Sequence, residues 1–456
     1  MAAVDIDRAD IQGDILEAYG NRYGHTSYLF ISIGDPASGR AWLSEQLPKV
    51  TTAARWTGPR PRSTFNLAVT SPGLGALGVS AATIESFSDE FQQGMKASAA
   101  DLGDVGKSAP DHWETGLGTG QAHMLVTINA LDDGPLQEAL DGLRGGLADC
   151  GQLDVVHEVH ARMFGGAREH FGFADGFSQP AIEGVSEDAA IGEGVPEPGG
   201  WRPLALGEFI LGHEDEESRT DRHRRLPTAP NDPLGRNGTY MVWRKVRQHV
   251  ALFRRTVREA SRHYSEGDAK LMAKVVGRWP NGAPLATSPD VPPAHFDPRS
   301  PGTNAFGYVN EDPNGFGCPL GAHVRRSNPR DSLGFNGKLA FRHRIIRRGM
   351  PYGPPLKDGT VEDDGEDRGL VFVCFNASIS RQFESIQRQW LNDGNVFHLG
   401  DDRDYLLGGT AGKMTIQGRP PFMLAPQAQF VTMRGGEYLF VPSLTALAAI
   451  ADGVAG

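Results

Sequence analysis

Interleaved strands and helices in two successive halves predict either a pair of α+β units packed sheet against sheet or a doubly wound α/β fold. Three observations carry that expectation. At 456 residues the chain exceeds the size at which one hydrophobic core normally stops growing. Short apolar, β-rich runs alternate with stretches whose apolar residues recur at helical spacing. The same strand-then-helix order returns in the second half, although no residue-level repeat links the halves.

Residues 26–34 (TSYLFISIG) are apolar and β-rich, and residues 36–47 carry apolar positions at helical spacing, so a strand and then a helix are expected. Residues 65–70 (FNLAVT) read as a second strand leading into Ser71-Pro72-Gly73-Leu74-Gly75, a turn by composition. Gly73-Leu74-Gly75-Ala76-Leu77-Gly78 has dinucleotide-binding glycine spacing but lacks the βαβ continuation with an acid, which leaves it a turn. Residues 122–129 predict a strand, and residues 134–147 a helix with Leu136, Leu140 and Leu143 on one side. Residues 189–200 and 212–237, rich in Gly, Pro and charge, read as loops. Beyond them come a strand at 239–243 with a helix over 246–264, a strand at 370–375 with a helix over 380–391, and a last strand at 437–442 before a short tail. The domain boundary is expected near residue 225, giving units 1–225 and 226–456.

A formal net charge of -11 argues against a nucleic-acid partner, which calls for a basic face, and favours cationic or neutral substrates. Cys150, Cys318 and Cys374 are too few and scattered for a disulfide framework or a paired metal-ligand spacing, and they fit a reducing compartment. Met1 to Arg8 carries acids where a secretory signal needs a basic stretch, and no apolar run is long enough to span a bilayer. These features predict a soluble, cytoplasmic protein with no membrane association.

His323, in Gly317-Cys318-Pro319-Leu320-Gly321-Ala322-His323-Val324-Arg325-Arg326-Ser327-Asn328-Pro329-Arg330, has the context of an iron ligand. One neutral imidazole holds a haem iron from one side and leaves the other face open for hydrogen peroxide. Heterolytic cleavage of peroxide needs a proton shuttle and a cation for the developing negative charge. Asp175, between Gly172 and Gly176, supplies the acid, and Arg347, in Arg347-Arg348-Gly349-Met350-Pro351-Tyr352-Gly353, supplies the cation. Burial raises the pKa of such an aspartate and a guanidinium lowers it, so the sequence leaves the net sign open. A carboxylate accepting the other ring N–H of His323 strengthens the imidazole as a donor and favours a ferryl state. Asp404 is selected for that role, with Asp401 and Asp402 as neighbouring alternatives. Taken singly, each of these residues reads as a surface or turn side chain; the joint pattern shifts the balance. The chain has no Cys-x-x-Cys-His, His-Glu-x-x-His or phosphate-loop motif.

Together these segments resemble the dye-decolorizing peroxidases. Further matches are Ile11-Gln12-Gly13-Asp14-Ile15-Leu16, the Gly-x-x-Asp-Gly motif within Glu169-His170-Phe171-Gly172-Phe173-Ala174-Asp175-Gly176, and Lys274-Val275-Val276-Gly277-Arg278-Trp279. The resemblance spans nearly the whole chain and implies two ferredoxin-like α+β domains whose antiparallel sheets form a barrel, with haem b held largely in the carboxy-terminal half. It implies His323 as proximal ligand, Asp175 as distal acid, Arg347 as distal arginine, and Leu370 and Phe372 as apolar lining of the distal side. His170 and Arg325 fall where contacts to the haem propionates are expected. The implied activity is peroxide-driven oxidation of dyes, phenols and other aromatic reducing substrates, with Trp390 and Tyr352 as candidates for relaying electrons from bulky donors. A rival reading is a haem carrier, which has no need of both Asp175 and Arg347. Oligomeric state is left open.

Overall fold

The computed structural model describes residues 6–19, 22–218, 234–300, 302–334, 337–408 and 412–454. In the first half, β1 (His25–Ile33), β2 (Ser63–Val69), β3 (Met124–Ala130) and β4 (Leu153–Arg162) pair antiparallel in the order β2-β3-β1-β4. In the second half, β5 (Thr239–Gln248) lies between β9 (Val431–Val441) and β8 (Gly369–Asn376). The far edge of β8 carries β6 (Ile346–Arg347) and β7 (Met350–Tyr352), two pieces of one interrupted strand. In both halves the first and third strands are central, which is the ferredoxin-like order. The halves meet at two single pairs, Phe440 with Val69 and Ala161 with Tyr352, closing one antiparallel α+β barrel.

Alternation along the strands separates the two faces. Tyr28, Phe30, Leu125, Val159, Met241, Trp243, Val373 and Leu439 fill the barrel interior. On the outer face of the first sheet, Leu29, Ile31, Leu67 and Val126 are covered by α1 (Pro36–Gln46) and α2 (Asp133–Cys150) through Trp42, Leu43, Leu136, Leu140, Leu143 and Leu147. The Asp35 side chain caps α1 by accepting the Ser38 N–H, and Pro36 occupies its first turn. Asp132 caps α2 in the same way, and Gly151 ends it at φ 64°, a left-handed conformation that glycine adopts without strain. On the outer face of the second sheet, Val246 stands opposite Leu370 and Arg244 opposite Phe372, and this face frames the site.

Several expectations need correction. β5 continues to Gln248, so the helix expected over 246–264 is α3 (Val250–Ser261). Gly73 to Gly78 is not a plain turn: Ser71–Ala76 forms a short helix because the Thr70 side chain accepts the Gly73 N–H. The helix expected over 380–391 is wound as π-helix in Ser380–Glu384 and Ile386–Leu391. The tail carries a helix, Leu444–Ala451, capped by Ser443. Position 225 lies outside the described residues. Among those residues no helix is long and apolar enough to cross a membrane.

Candidate active site

His323 opens the short helix His323–Ser327. Its Nδ1 lies 2.9 Å from Oδ2 of Asp404, which is fully buried. The other carboxylate oxygen of Asp404 accepts the Leu406 and Leu407 N–H groups at 3.0 and 2.9 Å. Burial opposes ionisation of Asp404, but His323, Arg326 and the Leu407 N–H outweigh it and hold the carboxyl below its ordinary range. An ionised Asp404 only accepts, so Nδ1 carries the proton and Nε2 is left as the ligating nitrogen. Burial would likewise discharge His323, and the Asp404 carboxylate reverses this, raising its pKa above the ordinary value. Asp401 instead pairs with Lys413, and Asp402 accepts the Thr415 N–H, so neither takes the place of Asp404.

Asp175 sits on a loop that needs left-handed backbone at Gly172 and Gly176, φ 102° and 88°. Glu169 fixes this loop by accepting the Phe171 and Phe173 N–H groups and a hydrogen bond from Gln248. Arg347 Nη1 donates to both Asp175 oxygens at 2.8 and 3.0 Å. Gln179 locks Arg347 from the other side, donating to its carbonyl and accepting its N–H. Burial raises the Asp175 pKa, yet Arg347 and the Gly176 N–H win, and the carboxyl ends below its ordinary range. The aspartate is therefore ionised at neutral pH.

His323, Asp175, Arg347, Leu370 and Phe372 line one cavity of about 320 Å³ between the outer face of the second sheet and the His323 helix. A smaller cavity of about 60 Å³ shares Asp175, Arg347, Leu370 and Phe372 and reaches Ala18 and Met163. His170 and Arg325 line neither. The Nε2–H of His170 is spent on the Tyr352 carbonyl at 2.7 Å, and the Arg325 guanidinium on Asp312 and the Cys318 carbonyl. Tyr352 and Trp390 are buried rather than superficial; the Tyr352 hydroxyl donates to Asp367 at 3.3 Å, and Trp390 packs against His343.

Besides Arg347, the structure places four guanidinium groups, Arg244, Arg278, Arg330 and Arg344, in the main cavity wall. Burial pushes Arg278 down to about 10 and Arg344 to about 9, and Nε and Nη2 of Arg344 are buried without a hydrogen-bond partner among the described residues. Sequence reasoning passed over them, although Arg278 and Arg330 lie in quoted motifs and Arg344 stands three residues before Arg347, because nothing in a motif shows which arginines turn inward. A free imidazole nitrogen, apolar walls and the under-satisfied Arg344 cation suit a flat, apolar, iron-bearing group with carboxylate arms.

Two family models match the chain: the DyP dimeric alpha+beta barrel domain over residues 10–163, and the Dyp-type peroxidase C-terminal domain over residues 203–401. The chain belongs to the dye-decolorizing peroxidases, a family of haem enzymes. It is 29% identical to dye-decolorizing peroxidase msp1 of Mycetinis scorodonius, over 98% of this chain and 88% of that one. It is 30% identical to the multifunctional dye peroxidase DyP2 of an Amycolatopsis species, over 96% and 94%. It also superposes on a dye-decolorizing peroxidase solved in complex with 2,6-dimethoxyphenol, with a TM-score of 0.80, 26% identity, and coverage of 98% and 100%.

Proposed function

We propose that this protein is a haem b peroxidase that reduces hydrogen peroxide at the expense of dyes, phenols and other aromatic donors. One observation carries the reading: the Asp404-oriented His323 and the Asp175–Arg347 pair line the same cavity. His323 Nε2 would hold the iron, Leu370 and Phe372 would shield the reacting side, and Arg344, with two donors unpartnered among the described residues, would take a carboxylate arm. When bound, the haem supplies one-electron redox chemistry. Asp175, ionised and accepting, takes a proton from peroxide at a carboxylate oxygen and returns it to the departing oxygen. Arg347 holds that carboxylate in place and offers positive charge where negative charge develops. The apolar wall excludes bulk water, which strengthens both effects. A carrier reading finds no support in this pair, since binding alone leaves Asp175 and Arg347 without work.

The division into units 1–225 and 226–456, the cytoplasmic setting and the absence of a nucleic-acid partner complete this reading; the acidic net charge supports the last of these. The test is to reconstitute the protein with haem b and add peroxide and 2,6-dimethoxyphenol. A Soret band and peroxide-dependent oxidation of the phenol are expected. A protein that takes up no haem, or takes it up and leaves the phenol untouched, would overturn the proposal.

A further inference from the structure

Two adjacent arginines leave one stretch of extended chain in different directions. Arg347 ends β6 and turns its guanidinium to Asp175. Arg348 falls in the gap between β6 and β7, where its N–H donates to the Val373 carbonyl at 2.8 Å. Successive side chains of an extended chain point to opposite faces, so its guanidinium is sent away from Asp175 and toward the amino-terminal segment. There Nε donates to the Asp14 carbonyl and Nη2 to the Ile15 carbonyl, both at 3.0 Å. Nη1 turns back onto the Arg347 carbonyl, also at 3.0 Å. One side chain thus ties the amino-terminal segment to the backbone that carries Arg347.

The front of that segment is held elsewhere. Gln12 donates to the Leu67 and Pro442 carbonyls at 2.8 and 2.9 Å, the Gly13 N–H reaches the Thr51 carbonyl at 2.9 Å, and Ile11, Ile15 and Leu16 pack into the barrel interior. Beyond Leu16 the chain borders the small cavity of about 60 Å³, where Ala18 stands in the wall with Met163 and Arg168. Arg168 is exposed, and Asp175 and Arg347 line both cavities, so the small one joins the surface to the pair. Among the described residues, every hydrogen bond between residues 13–18 and the wall bearing Arg347 comes from Arg348. The separation of these two walls depends on that side chain.

We propose that Arg348 is a positioning residue that fixes the width of this passage, admitting molecules of peroxide size to the Asp175–Arg347 pair and holding back larger ones. The inference rests on the peroxidase reading, in which this pair meets peroxide. Guanidinium bonds to carbonyls are charge-assisted and hold a wall more firmly than apolar contact alone. An arginine that served only to anchor the amino terminus would affect stability without changing which molecules enter.

The test uses ferric, haem-reconstituted protein and two ligands of its iron, cyanide and imidazole, with on-rates followed at the Soret band by stopped flow. Arg348→Met is expected to speed imidazole by about tenfold, the shift toward an open wall that loss of one charge-assisted hydrogen bond allows, and to change cyanide far less. Arg348→Lys keeps a cation beside the same carbonyls and holds the imidazole rate near wild type; it also serves if Arg348→Met does not fold. Ala18→Leu adds bulk to the wall without touching the arginine and should slow cyanide by about tenfold, as for an encounter that needs a rearrangement. The haem-free protein gives a separate readout. The Glu17 amide, which donates to the Gly13 carbonyl at 2.8 Å, should exchange with deuterium faster in Arg348→Met while mid-strand amides of β1 keep their rates. Equal acceleration of both ligands, an imidazole rate unmoved by Arg348→Met or raised as much by Arg348→Lys, an unchanged Glu17 amide, or a cyanide rate unmoved by Ala18→Leu overturns the inference alone. A wild-type protein whose Soret band is absent or does not respond to cyanide overturns it together with the haem reading.

Discussion

The two sheets share one strand order but use their outer faces differently. In the first, α1 and α2 lay Trp42, Leu43, Leu136, Leu140 and Leu143 directly on Leu29, Ile31 and Val126, giving a dry core. In the second, the corresponding face carries Arg244, Val246, Gln248, Leu370 and Phe372, and the covering layer stands off to leave a cavity of about 320 Å³. The layer differs in kind. It is built from the π-helical winding of 380–391, the end of the helix Gly267–Val276 and the short His323 helix rather than from two close-packed α-helices. One topology thus yields a packed support or a binding chamber according to what covers it, and function follows the cover.

Substitutions on each side break or sharpen this contrast. The largest effect is expected from His323→Ala, which removes the cavity-lining imidazole that Asp404 supports; the Soret band of reconstituted protein should be lost or displaced. A native five-coordinate spectrum in that variant would refute the ligand assignment. Arg347→Leu is expected to cut the peroxide-dependent rate by about 10²–10³-fold, the cost typical of losing one preorganised charge donor, measured by stopped flow under single turnover.

Asp175→Asn should be somewhat milder, about 10²-fold, because water can relay protons. Its signature lies in the pH profile. The folded pKa of Asp175 is depressed, so the carboxylate stays charged at and above its reference value of about 3.9. Wild-type activity therefore persists into acid and falls only as pH drops through the depressed value, and the stability of the Asp175–Arg347 pair is lost in the same window. The variant loses that acid limb, and a profile of unchanged shape would exclude Asp175 as the shuttle.

The smallest effect on the site is expected from the packed side. Leu140→Ala should cost about 2–5 kcal/mol in denaturant unfolding yet leave the haem spectrum as it is. Phe372→Ala, on the cavity wall, should reverse the pattern, with a displaced spectrum and a smaller loss of stability. If both behave alike, the distinction between support and chamber fails.

Much of this was legible in the sequence wherever chemistry and local pattern coincide. The strands at 26–34, 65–70 and 370–375 lie within a residue or two of those observed, because their apolar runs are the segments the fold buries. β4 escaped notice because Asp154, His157, Glu158 and His160 break its apolar alternation, and only pairing with β1 makes it a strand. β6 and β7 are too short to register. The motifs around His323, Asp175 and Arg347 drew attention to residues that do share a cavity, and Asp404, selected ahead of its neighbours Asp401 and Asp402, is the one that meets His323. His170 and Arg325 sit in equally suggestive segments but turn to the Tyr352 carbonyl and to Asp312. Side-chain direction in irregular chain depends on long-range partners, and these are what a sequence conceals.

Barrel closure through one residue pair at each junction, Phe440 with Val69 and Ala161 with Tyr352, also bears on how the molecule opens. Ladder hydrogen bonds within each sheet are many and cooperative, whereas the seams hold almost none, so thermal breathing begins at the seams. Amide hydrogens there exchange with deuterated solvent ahead of those in mid-sheet. The second seam ends on Tyr352, whose carbonyl anchors His170 at the root of the Asp175 loop. Loosening of the barrel is therefore felt first on the Asp175 side of the cavity and last on the His323 side.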